Sequence, residues 1–199
     1  MTLAFQHRVS LVTAPANEPV TVTDAKNHMR IEHTDDDALI ARLINVAIAY
    51  VDVTGALGKA MISQTWAEYV GPNPSTVYLS LQPAQSVTAI KYFDTDNALQ
   101  TATLSDFHLL GQPGRYLIYP KSGKVWPTTF SRDDAIRIEY VVGYGDNAAD
   151  VPDTVRYALL MLVAHYYENR ENELIGTISK TLPFGFDDLI GQERAAWYG

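Results

Sequence analysis

The hydrophobic period of this chain changes twice along its length, and neither an all-helical nor an all-strand fold accommodates both patterns. Ile40, Leu43, Ile44, Ala47 and Val51 recur at three- and four-residue spacing, the signature of a helix with one buried stripe. From residue 60 to 144 the period drops to two, in runs rich in Thr, Val, Ile and Tyr separated by Pro, Gly, Asp and Asn clusters. Helical spacing then returns with Val155, Leu159, Leu162, Val163 and Tyr166. Each stripe needs a covering layer. The expected class is therefore α+β: an antiparallel α-helical hairpin or bundle, with a small antiparallel β domain inserted between its helices and a flexible C-terminal tail.

Local punctuation sets the expected boundaries. Thr21 or Thr23 caps a short first helix that begins near Asp24. Thr34 followed three residues later by Asp37 reads as a capping-box-like start, and Asp35, Asp36 and Asp37 all suit the positive end of a helix dipole. The spacing predicts that this helix covers 35–54, with Gly55 as its stop. Expected strands are 62–70, 77–81, 87–93, 99–104, 107–110, 115–119 and 136–142, with turns at 94–97 and 112–114. Beyond the glycine-rich 143–146, Pro152 at a first helical position opens a helix over 152–170, and a short helix is expected around 187–196. The parts are thus 1–59, the N-terminal helical portion; 60–145, the β insertion; 146–172, the helix that completes the bundle; and 173–199, the tail.

Composition narrows the function. The 15 Lys and Arg against 23 Asp and Glu give a net charge of -8, which argues against gripping duplex DNA, because phosphate binding needs clustered cations. With no cysteine there is no disulfide framework and no thiolate metal site, as suits synthesis in a reducing cytoplasm. No apolar run approaches the roughly 18 residues of a membrane helix, so no membrane partner is expected. Twelve tyrosines exceed what a plain core needs and suit protein interfaces.

The residues that bear chemistry form weak constellations. His28 and His33 beside Glu32 and the three aspartates have the ligand types of a metal-dependent hydrolase, but their five-residue spacing misses one helix face. His165 stands beside Tyr166, Tyr167 and Glu168 without a nucleophile to activate. The glycines at 111 and 114, and at 143 and 145, are too few for a dinucleotide loop. The acid pairs Asp133-Asp134 and Asp187-Asp188 resemble a glycosidase pair only in composition. Trp66, Trp126 and Tyr144 in the strand-rich region offer a carbohydrate- or receptor-binding module as an alternative, although Trp in a small sandwich is more often core. No catalytic residue, metal or cofactor is expected.

Several stretches together resemble one family, the head-tail connector or adaptor proteins of tailed phages. They begin with Leu11-Val12-Thr13-Ala14-Pro15, Glu18-Pro19-Val20, Asp24-Ala25-Lys26 and Met29-Arg30-Ile31. Next come the acidic run from Thr34 to Ile40, Thr65-Trp66, and the phrase from Leu81 through Pro83 to Val87. The most specific runs from Gly143-Tyr144-Gly145-Asp146 through Val151-Pro152 and Leu159-Leu160 to His165-Tyr166-Tyr167-Glu168-Asn169-Arg170-Glu171. The resemblance implies a structural subunit without enzymatic activity, located at the head-tail junction of the virion. It implies a homo-oligomeric ring, commonly twelvefold, joined to the portal on one side and to a tail completion (stopper) protein on the other. DNA passes through such a ring without sequence-specific binding. The resemblance also implies that the C-terminal stretch reaches the portal, through Leu182, Pro183, Phe184, Phe186 and Leu189.

Overall fold

The computed structural model describes residues 8–112, 115–169 and 185–195. These divide into two compact units: the described residues up to 16 with 63–144, and 17–62 with the described residues beyond 145.

Among the described residues, the first unit is built from eight strands, β1 (Arg8–Thr13), β2 (Gln64–Val70), β3 (Val77–Tyr78), β4 (Ala84–Phe93), β5 (Leu99–Thr101), β6 (Phe107–Gln112), β7 (Arg115–Pro120) and β8 (Ile136–Val142). They form two antiparallel sheets, one ordered β1-β2-β8-β4-β5 and the other β3-β7-β6. Strand β8 shows why the period-two pattern folds this way. Its residues alternate strictly between buried and half-exposed, so Ile136, Ile138, Tyr140 and Val142 fill the core. On its other face Glu139 pairs with Lys91 at 2.9 Å and with Arg137 at 2.8 Å.

A carboxylate lies inside this unit. Glu68 on β2 is fully buried, and its oxygens accept from the Tyr140 hydroxyl at 2.7 Å and from the Ser80 hydroxyl and amide at 2.7 and 3.0 Å. The Tyr140 oxygen in turn accepts from the Leu81 amide at 3.2 Å. Burial, and then the adjacent Glu68 charge, hold the Tyr140 hydroxyl far above the ordinary tyrosine range.

The second unit holds four helices among the described residues: α1 (Val22–Met29), α2 (Asp37–Val51), α3 (Asp153–Glu168) and α4 (Phe186–Ala195). Helix α2 buries Ile40, Ile44, Ala47 and Val51, and α3 buries Val155, Ala158, Leu159, Leu162 and Val163; the two pack against each other through these stripes. After α2, Gly55 allows the chain to fold tightly back. A Cβ there would lie 2.1 Å from the Tyr50 carbonyl oxygen, which accepts the Ala56 amide at 2.8 Å.

The α+β class is as expected, and the last predicted strand, 136–142, coincides with β8. Other boundaries differ for local reasons. Strand β1 arises from a stretch expected to belong with the helices; as a mostly exposed edge strand it carries no alternation to read. The strand expected over 99–104 stops at Thr101, because residues 104–106 turn into a 3-10 helix. Pro152 is the residue before α3 rather than its first, and its carbonyl accepts the Val155 and Arg156 amides at 3.0 and 3.1 Å. The short helix expected around 187–196 forms over Phe186–Ala195, and Phe186 and Ile190 one turn apart give it a buried face.

Candidate functional site

One end of the helical unit is tied by side chains from three helices. Thr21 forms a capping box at the start of α1: its hydroxyl accepts the Asp24 amide at 3.1 Å, and Asp24 accepts the Thr21 amide at 2.9 Å. The Thr21 hydroxyl and amide bonds hold the Asp24 carboxyl below the usual carboxylate range. The expected capping box at Thr34 and Asp37 does not form. Asp36 takes the cap position with no side-chain cap bond, and the acidic run is used for contacts between helices instead. The Tyr167 hydroxyl of α3 donates to the Asp36 carboxylate, and Lys26 Nζ of α1 pairs with Asp37 at 2.7 Å. Tyr167 belongs to the signature stretch of the sequence, so at least one of its residues has a structural task.

The rest of that stretch is simply placed. His165 is half-buried on α3, with its ring 6.1 Å from that of Tyr166, and its carbonyl accepts the Asn169 side-chain amide at 2.8 Å. Burial, then the nearby Tyr50, push the Tyr166 hydroxyl up. Glu168 is exposed, while Arg170 and Glu171 lie outside the described residues.

Helix α4 is held by an apolar and a polar contact. Phe186 has no exposed surface and Ile190 almost none, and the Phe186 ring lies 6.0 Å from that of Tyr50 on α2. Lys59, itself 4% exposed, donates through Nζ to the Glu193 carbonyl, and the Glu193 carboxylate accepts from Thr154 at the start of α3 at 2.7 Å. Burial pushes the Lys59 amine down to about 8, with the Glu193 charge opposing. Sequence reading missed Lys59, since a lone Lys between Gly58 and Ala60 carries no pattern. Phe186, one of the residues expected on the portal side, packs within this unit. Leu189 is half-buried, and Leu182, Pro183 and Phe184 lie outside the described residues.

The chemical candidates do not converge. His28 packs edge-on against Tyr157 at 5.6 Å, His33 is exposed, and no group of three His, Asp or Glu side chains at ligand distance occurs among the described residues. Trp126 is 9% exposed, with its ring 4.6 Å from that of Phe107, so it is core rather than a platform for stacking. Trp66 is half-buried and donates to Gln64 at 3.0 Å. Asp134 is paired with Arg132 at 2.9 Å, and Asp187 and Asp188 sit exposed in the first turn of α4. Gly145 allows close approach of the Asp150 carboxylate, which accepts the Asn147 amide at 2.8 Å, so the 143–146 glycines serve a turn. A groove of about 480 Å³ in the strand unit runs past Asn73, Tyr119, Lys124 and Trp126, but its cation is paired with Asp106 at 3.0 Å.

A family model described as head completion protein matches residues 18–180. The chain belongs to that family. It is accordingly a structural head-tail component of a phage and not an enzyme. A search of curated proteins found no match. Among solved structures, a chain of the virion of a native gene transfer agent particle aligns with TM-score 0.75 at 23% identity, over 94% of each chain. A chain from the neck of the empty particle, computed with C6 symmetry, aligns with TM-score 0.73 at 21% identity over 94% of this chain and 95% of that one. One from the neck of the native particle, computed with C12 symmetry, gives 0.70 at 22% identity over 94% of each. The chain shares its fold with these neck and virion chains.

Proposed function

We propose that this chain is a ring-forming adaptor of the virion neck, joining the portal to the tail completion protein while DNA passes through the centre. The observation that carries the reading is the family match over 18–180 combined with a shared fold in a neck solved with C12 symmetry. A ring needs unlike faces that meet in rotation until it closes. The helical unit supplies the body of the ring in this reading. The strand unit faces outward or toward the next tail component. Leu182, Pro183, Phe184, Phe186 and Leu189 mark the portal side in this reading, with Phe186 itself buried and holding α4 in place. The net charge of -8 is compatible with a passage that repels phosphate and lets DNA slide.

Mixing the purified chain with its cognate portal and imaging by electron microscopy tests the reading. An added ring of density beneath the portal is expected. Failure to co-assemble over a range of ratios and salt concentrations overturns it. The carbohydrate-binding and metal-hydrolase alternatives draw no support from the geometry of Trp126, His28 or His33.

A further inference from the structure

Two rows of side chains on opposite sides of the helical unit face outward, each including a tyrosine that touches one neighbouring ring, Tyr50 against Phe186 and Tyr157 against His28. On α2 the exposed row is Ala38, Arg42, Asn45, Val46, Ala49 and Tyr50, with Val46 52% and Tyr50 42% exposed. On α3 the outward row is Asp153, Tyr157, Met161, Ala164 and Glu168, spaced by three or four residues, with Tyr157 51% exposed, both acids exposed, and Met161 and Ala164 half-buried. Because α2 and α3 turn their buried stripes toward each other, these outer rows point away from one another. Single exposed apolar residues are ordinary; rows that run the length of a helix are a mark of interfaces.

The rows are complementary in charge and in length. The α2 row carries one cation, Arg42, which has no ion-pair partner among the described residues, and no anion. The α3 row carries acids at both ends and no cation of its own; Asp153 is touched only by Arg156, at 3.3 Å with its carboxylate 98% exposed. At about 1.5 Å per residue the rows span roughly 18 and 22 Å.

We infer that the outer row of α2 docks on the outer row of α3 in a second copy of this chain, making the head-to-tail contact of the ring. The inference rests on the ring reading above and deepens it. Tyr50 and Tyr157 supply aromatic anchors of the kind that dominate interfaces, and Arg42 meets the carboxylate of Asp153 or Glu168. One face meets a different face, so each copy leaves its second face open for the next.

Val46→Asp and Tyr157→Asp, both at exposed positions, test this by sedimentation velocity and by ring formation on the portal. The unchanged chain is expected to give species beyond the dimer, each variant alone to stay monomeric, and an equimolar mixture of the two to stop at the dimer. That stop follows because one variant retains only its α3 row and the other only its α2 row. Variants that assemble as well as the unchanged chain would overturn the assigned faces and leave the ring reading standing. Dimers formed by either variant alone would overturn the head-to-tail arrangement. An unchanged chain that neither self-associates nor adds a ring to the portal would sink both.

Discussion

Tyr140 and Glu68 illustrate what a carboxylate inside a small strand unit requires. Taking a charge out of water is costly, and here three hydrogen bonds help to offset the loss. Tyr140→Phe removes one donor and keeps the ring, so the carboxylate remains buried with a bond missing. The expected loss is about 2 kcal/mol of stability, read from urea unfolding. A loss near zero would mean that the hydroxyl is dispensable. Lys59 gives a second test with a definite sign. Its amine falls on folding to about 8 from an ordinary 10.5, so between those pH values the unfolded chain holds the extra proton. Stability contributed through this group therefore rises with pH across that window and is lowest below it. The difference in urea midpoint between the native chain and Lys59→Met, which keeps most of the apolar stem, should shift toward the native chain from about pH 7 to about pH 9.5. Parallel pH profiles would show that Lys59 is already solvated.

At the scale of elements, α4 depends on what it packs against. A helix of ten residues is marginal in water on its own and depends on packing. Phe186→Ala removes a side chain with no exposed surface, a change that costs about 3 kcal/mol or more in well-packed sites. Amide exchange over 186–195 should then accelerate sharply while β8 stays protected, since local openings draw on local contacts. Unchanged exchange in α4 would place its anchor elsewhere. The same contrast explains what sequence could foretell. Strand β8 was legible because a core strand with one face inward writes burial directly into its period, and the start of α1 was legible to within Thr21 or Thr23 because capping is local chemistry. Strand β1 was not, because an edge strand has little to bury. Thr34 misled for a related reason: its acids satisfied a local rule, yet Tyr167 and Lys26, 131 and 11 residues from their partners, claimed the carboxylates. The role of Phe186 was likewise invisible, since an aromatic that anchors a helix and one that meets a partner look alike in sequence.

For the whole molecule, the proposed neck role places a demand on its charge. DNA that must move past every subunit cannot be held by any of them, and a binder that neutralises several phosphates would act as a brake. Such binders betray themselves by salt dependence, losing about 10³ to 10⁵ in affinity between 50 and 200 mM salt. A chain with 8 more acids than bases releases few counterions from DNA, so its response to salt should be flat. The expected outcome is no retardation of duplex DNA in a gel shift at about 150 mM salt, and no complex gained on dilution to about 50 mM. The measurement is best made on the assembled ring as well as on the free chain, because assembly gathers whatever cations line the passage. Retention that strengthens steeply as salt falls would reveal a basic lining, and the neck would then grip its DNA rather than let it slide.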